Sequence, residues 1–172
     1  GMASTRLRDD HEVVLAAVWS CGRSLACASS RLQGDRQLVL TAVWRDGSAL
    51  AYASEPLQSD REVVITAVQN HGPALSHAAP KLQEDREVVL AAIRSNGCAL
   101  AFAHSRLQMD CELCLVAVRQ AGAALEHVHA VLRSNFQVAL AAVREDTAAI
   151  RFVGDRLLDD PYFMMQATGC VT

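Results

Sequence analysis

Residues 85–110 read DREVVLAAIRSNGCALAFAHSRLQMD, opening and closing on aspartates 25 positions apart. The same frame recurs outward in both directions without one insertion or deletion. Asp10, Asp35, Asp60, Asp85, Asp110, Asn135 and Asp160 form one column, and Leu7, Leu32, Leu57, Leu82, Leu107, Leu132 and Leu157 a second. Ala17, Ala42, Ala67, Ala92, Ala117, Ala142 and Ala167 form a third. A fourth, Gly22, Gly47, Gly72, Gly97 and Gly122, passes to Thr147 in the sixth copy. A fixed period of this size is the mark of a solenoid. The chain is therefore read as all-α: an alpha-solenoid, wound as a right-handed superhelix, of six 25-residue two-helix repeats plus a terminal half-repeat. Repeats start near 10, 35, 60, 85, 110 and 135, a partial repeat fills 160–172, and residues 1–172 make one repeat domain.

Within a unit, the Asp column predicts helix N-caps, because its carboxylate accepts hydrogen bonds from the open first-turn amides. Glu12, Glu62, Glu87 and Glu112, two places on, favour the positive end of the helix dipole. A helix of about eleven residues follows, with Val14, Ala17, Val18 and their counterparts as its inward stripe. The Gly column is expected to close it in the left-handed conformation. A second helix of about two turns comes next, with Leu50 and Ala53, or Leu75 and Ala78, facing inward. Pro73 belongs to its first turn, whereas Pro56 and Pro80 are expected after its end. Neither helix is long enough to persist alone, so stacking must hold both. The Ala column is expected to mark the closest helix approach.

The chain enters the array on Thr5-Arg6-Leu7 and leaves on Asp160-Pro161-Tyr162-Phe163-Met164-Met165, where exposed Phe163, Met164 or Met165 offer a homodimer contact. The array also reads as a slice of a longer one, and Gly1 ahead of Met2 as a scar of tag removal. With 51% hydrophobic residues the chain can bury a core, and its net charge of −3 provides no general field for phosphate backbones. No apolar run approaches the roughly 20 residues of a membrane span. The start of the chain also lacks the apolar stretch of a signal peptide. A soluble, intracellular protein is expected, with cysteines that are mostly free because their spacing does not repeat.

The 85–110 stretch, with its D-x-E-V-V-L-x-A-V and G-x-A-L-x-x-A-S signatures, resembles the repeats of the family called domain of unknown function 4116. The resemblance runs from Leu7 to about Ala167 and is weakest after Val128, where Asn135-Phe136-Gln137 stands in place of D-R-E. It implies a tandem helical fold and a binding role, and it carries over no active site.

Five features of the residues bear on function. The column Cys27, Tyr52, His77, Phe102, His127 and Phe152 places rings in register along the second helices, a ladder that can receive a peptide's side chains or stack bases. Arg36, Arg61 and Arg86 form a basic row beside the caps. Arg94, Arg119 and Arg144 form another near the helix ends, following Trp19 and Trp44. Cys111 and Cys114 make a C-x-x-C on a helix, the beginning of a redox pair or half a zinc site, with Cys98 and His104 nearest in sequence. His11, His71, His77, His104, His127 and His129 include one pair, His104 and His129, that shares a column. Nothing matches a nucleophile with its base, a phosphate loop or a cofactor fingerprint.

The expected function is a non-enzymatic scaffold for protein or peptide, without cofactor or membrane. The binding ladder expected from the spacing is Tyr52, His77, Phe102, His127 and Phe152. Single-stranded nucleic-acid binding along the rings and arginines, and a cysteine metal or redox site, are the alternatives.

Overall fold

The computed structural model describes residues 6–169. Gly1, Met2 and Thr5, named above, lie outside them. Each capped segment forms a long helix: α1 (His11–Ser20), α2 (Arg36–Arg45), α3 (Arg61–Asn70), α4 (Arg86–Ser95), α5 (Cys111–Gln120), α6 (Phe136–Glu145) and α7 (Pro161–Thr168). The caps form as expected. Asp60 Oδ1 accepts the amides of Glu62 at 2.9 Å and Val63 at 3.2 Å, and Asn135 does the same for Gln137 at 3.0 Å and Val138 at 3.2 Å.

The second element of each repeat is two turns long but wound as a 3-10 helix: Gly22–Cys27, Gly47–Tyr52, Gly72–His77, Gly97–Phe102, Gly122–His127 and Thr147–Phe152. A third element follows that the column pattern does not announce, a single helical turn such as Ser30–Gln33, Glu55–Gln58 or Pro80–Gln83. Pro56 and Pro80 follow the end of the second helix as expected, and they open this third turn, where a missing N–H leaves no bond unmade. Each long helix packs on its long neighbours and on the 3-10 helices of its own and the preceding repeat. The result is an all-helical, two-layer stack around one continuous core. In the third repeat Val63, Val64, Ala67, Val68, Ala74 and Leu75 fill it.

Two columns require reinterpretation. The repeat glycines do not adopt the left-handed conformation, which among the described residues occurs only at Gly169, φ 68°, closing α7. They open the 3-10 helices, and the helix ends before them are extended. What demands glycine is the next repeat. A Cβ on Gly72 would lie 2.6 Å from the Ala92 carbonyl oxygen, and one on Gly22 2.5 Å from that of Ala42. The Gly and Ala columns are thus the two sides of one backbone contact, repeated at every internal joint. Thr147, which replaces glycine in the sixth repeat, is exposed. The other correction is Phe163, which is not available for dimer contact. It continues the core column of Leu38, Val63, Val88, Leu113 and Val138, is wholly buried, and meets Phe136 edge-to-face at 5.6 Å. Tyr162 and Met165 beside it remain exposed.

Polar links join the repeats at their edges. While Oδ1 of Asp60, Asp85 and Asp110 caps its own helix, Oδ2 of each receives the guanidinium of the preceding repeat, Arg36, Arg61 and Arg86, at 2.9, 3.1 and 3.0 Å. The same arginines also bind Glu62, Glu87 and Glu112. Cys111 and Asn135, both uncharged, hold the corresponding positions at the next joint, and beyond it Phe136 stacks on Tyr162 at 5.7 Å. Inside the first four repeats a glutamine amide satisfies the 3-10 helix carbonyls: Gln33 donates to Leu25 at 3.2 Å, Gln58 to Leu50 at 3.1 Å, Gln83 to Leu75 at 3.2 Å and Gln108 to Leu100 at 3.2 Å. Arg133 takes this part by donating to the Val128 and Glu126 carbonyls. Finally, the third turns are joined by single backbone rungs, such as Ala79 N–H to Gln58 at 2.9 Å and His104 N–H to Gln83 at 3.0 Å.

Gly72→Ala is expected to destabilise by about 1–3 kcal/mol or more through overpacking, although alanine is the better helix former, while Thr147→Ala stays within about 0.5 kcal/mol. Urea denaturation of both variants checks the contrast. The Arg36 guanidinium, with the Val63 and Glu62 amides, holds the Asp60 carboxyl below its usual 3.8. At Asp85 and Asp110 burial pushes upward, but the first-turn amides and Arg61 or Arg86 bring the net shift down. A carboxyl lowered on folding adds stability in full above its unfolded value, and that stability is lost as pH falls through the lower folded value. Asp60→Asn, Asp85→Asn and Asp110→Asn together, which keep the caps, are therefore expected to flatten the fall in urea midpoint between about pH 5 and pH 2.

Candidate binding surfaces

The ring column lies at the C-terminal ends of the 3-10 helices, which stack on one another, so its members come into register as the spacing implied. Tyr52 and Phe102 are each 37% exposed, His77 is exposed, and His127 and Phe152 are half-buried. The Arg151 guanidinium stands over the Phe152 ring, 4.6 Å from its centroid. The aromatic pairs of the described residues lie elsewhere, so Tyr52, Phe102 and Phe152 do not seal one another's joints by ring stacking. Cys27 heads the column as an exposed thiol.

The opposite layer carries a second surface. The long helices turn inward the residues equivalent to Val63, Val64, Ala67 and Val68, and this leaves a half-buried row of Leu15, Leu40, Ile65, Leu90, Leu115 and Leu140 as the floor of the outer face. At the α1–α2 end the floor is flanked by Trp19 and Trp44, 51% and 58% exposed, in edge-to-face contact at 6.0 Å. The Arg45 guanidinium lies 5.8 Å and 5.9 Å from the two ring centroids. A shallow cavity of about 330 Å³ opens among Trp19, Leu40, Thr41, Trp44 and Thr66. Further along, a groove of about 510 Å³ runs between α5 and α6, with Arg119 and Arg144 at its edge. The tryptophans were read from the sequence only as neighbours of an arginine row. Their position four residues beyond the half-buried leucine, on one helical face, is the signal that places them on this surface.

The remaining candidates acquire structural duties. Arg36, Arg61 and Arg86 are committed to the inter-repeat ion pairs, and Arg86 also lines a cavity of about 590 Å³ with Glu84, His104, Arg106 and Asp110. His104 and His129 are exposed and accept the amides of Arg106 at 3.3 Å and Val131 at 3.4 Å, capping the third turns in the column that Ser29 also caps. His104 additionally approaches Glu84 at 3.7 Å, and His11 approaches Asp35 at 3.8 Å. Cys114 is buried in the core, where its thiol donates to the Gln108 carbonyl at 3.2 Å. Burial, with the charges of Asp110 and Cys111 nearby, pushes its pKa up to about 12. A thiol so placed holds its proton at neutral pH, the reverse of a reactive or metal-binding thiolate. Cys98 is pushed upward too, by burial and by Glu126 and Glu145. Among the described residues no three His, Cys, Asp or Glu side chains converge as a metal site would need.

The model of the family described as "Domain of unknown function (DUF4116)" matches the chain twice in tandem, over residues 35–83 and 85–133. Each match takes in two of the 25-residue units, so the family's domain is a pair of repeats. No curated protein and no solved structure matches the chain. Among the described residues no helix is long and apolar enough to cross a membrane.

Under native conditions a thiol reagent is expected to label Cys21 and Cys27 rapidly, and Cys114 only at the rate of unfolding. Peptide mapping after timed alkylation reads the difference. Labelling of Cys114 as fast as Cys21 would contradict its placement in the core.

Proposed function

We propose that this chain, which belongs to the DUF4116 family, is a non-enzymatic scaffold that binds protein or peptide partners along the faces of its repeat stack. The observation carrying this reading is the set of large rings left exposed in register on both layers, Tyr52 and Phe102 on one and Trp19 and Trp44 on the other, over an interior that is filled without them. Stacked repeats provide extended surfaces of this kind, and aromatic side chains dominate the energetics of protein interfaces. The ladder of Tyr52, His77, Phe102, His127 and Phe152 is one proposed face and the outer face of the long helices the other.

The non-enzymatic part rests on what the moved pKa values are for. Of the shifted carboxyls, Asp60, Asp85 and Asp110 are tied to arginines across joints, Asp9 is bound by Ser29 and Arg31, and Asp46 by Ser48 and Arg23; of the shifted thiols, Cys114 is packed in the core and Cys98 is raised by burial and by Glu126 and Glu145. Structural ion-pair networks and burial account for such shifts without catalysis. The described cysteines are all unpaired, which fits a reducing, intracellular compartment.

The test is affinity capture from lysate of the source cell with three baits: the native chain, Tyr52→Ser with Phe102→Ser, and Trp19→Ser with Trp44→Ser, each first shown to be helical by circular dichroism. A partner retained by the native chain and lost from one variant is the expected result, and it assigns the face. Identical captures by all three folded baits would sink the reading, as would substrate turnover by the purified chain.

A further inference from the structure

We infer that the outer face of the long helices binds an acidic peptide segment carrying an apolar or aromatic anchor, the anchor seated at Trp19 and Trp44 and the carboxylates on Arg94, Arg119 and Arg144. This rests on the scaffold reading and adds to it the chemistry of the partner.

The argument begins with which charges are already used. At the N-terminal ends of the long helices every arginine has carboxylate partners: Arg36, Arg61 and Arg86 each bind an Asp and a Glu of the following repeat, and the acidic row of Glu62, Glu87 and Glu112 is thereby neutralised. At the C-terminal ends the position held by Trp19 and Trp44 becomes Arg94, Arg119 and Arg144. All three are exposed and, among the described residues, none has an ion-pair partner; Arg144 donates only to the Gln166 side-chain oxygen, at 3.0 Å. The carboxylates at this edge are otherwise engaged. Asp46 accepts from Ser48 and pairs with Arg23 at 3.6 Å, and Glu145 accepts the Gly122 amide. The helix dipole gives such arginines some favourable surroundings, worth a few tenths of a kcal/mol to about 1 kcal/mol when exposed. It does not account for their sharing one face with an aromatic pair and an apolar floor.

The register then sets the spacing. Packed helices lie roughly 8–10 Å apart, so Arg94, on α4, stands roughly 16–20 Å from Trp44, on α2, with Arg119 and Arg144 one further step each. An extended peptide covers about 3.3 Å per residue. A partner lying along the stack therefore presents its anchor and, about five or six residues away, carboxylates at intervals of about three residues. A nucleic acid fits this face less well. The two tryptophans turn edge-to-face on each other at 6.0 Å, so they do not stand apart to take successive bases, and the chain as a whole carries net charge −3.

The probe is a synthetic fluorescein-labelled peptide with two phenylalanines, a five-residue Gly/Ser spacer and three glutamates at three-residue intervals, made in both chain orders. Its control carries lysine for each glutamate. Anisotropy is measured at low salt with the intact chain. One order of the acidic peptide is expected to bind at least about tenfold more tightly than its lysine control, which corresponds to about 1.4 kcal/mol. In Arg94→Glu with Arg119→Glu that preference is expected to reverse, and in Trp44→Ala both peptides weaken. The arginine pair decides the matter, because both side chains are exposed and their replacement leaves the core intact. Equal binding of acidic and basic peptides, absence of binding in both orders, or a preference unchanged by the arginine reversal would overturn the inference. So would displacement of the peptide by a lower concentration of a fifteen-nucleotide oligothymidylate at 150 mM salt. If these results came while the Tyr52/Phe102 variant still lost a captured partner, the scaffold reading would stand and only this assignment would fall.

Discussion

Each joint between full repeats turns on a contact between two stretches of main chain. The amide end of a 3-10 helix is pressed against the carbonyl of a small residue in the next long helix, as at Gly72 against Ala92, so closely that a methyl group has no room. A contact between backbones carries almost no tolerance, because neither side can change rotamer. It therefore fixes the separation of neighbouring layers, and with it the depth at which Val and Leu side chains interdigitate. The uninterrupted 25-residue frame is the sequence's record of this rigidity: an inserted residue would move a glycine out of contact and bring a side chain into it.

Around that contact, single side chains are used for two purposes at once. The cap aspartate offers one oxygen to its own helix and the other to the preceding repeat, so forming the helix and docking the neighbour become partly the same event. The glutamine of the third turn works in a similar way within a repeat, closing the open carbonyls of a short 3-10 helix that has no length in which to satisfy them. Marginal elements thereby persist although none would stand alone.

How much of this was legible depended on whether a residue's reason was local. The caps at Asp10 through Asp160 follow from local chemistry and formed where the spacing put them. The glycine column was visible as a column but misread, because the ordinary local reason for glycine after a helix is left-handed backbone, and the actual reason lies 20 residues away in another repeat. Phe163 was read as exposed for a related cause: its burial depends on Phe136 in the preceding repeat. The C-x-x-C pair is locally suggestive, yet Cys114 occupies a core position and Cys111 an arginine position, which only the stacking separates. For the candidate sites, the register of the ring column was readable. The outer face with its tryptophans was not, since the periodicity shows which side of a helix is buried but not what several helices assemble on the side left out.

The change from ionic to uncharged joints has a mechanical meaning. From the second repeat to the fifth, successive layers are held at one edge by Arg–Asp pairs, which weaken in salt or acid; between the fifth and sixth the corresponding positions are the uncharged Cys111 and Asn135, and beyond them aromatic rings take over. A stack of this kind does not come apart uniformly. In concentrated salt the fastenings loosen over the layers between Arg36 and Glu112, while the Trp19–Trp44 and Phe136–Tyr162 contacts nearer the two ends keep theirs, so solution composition sets which layers open first and which remain as a template for winding back.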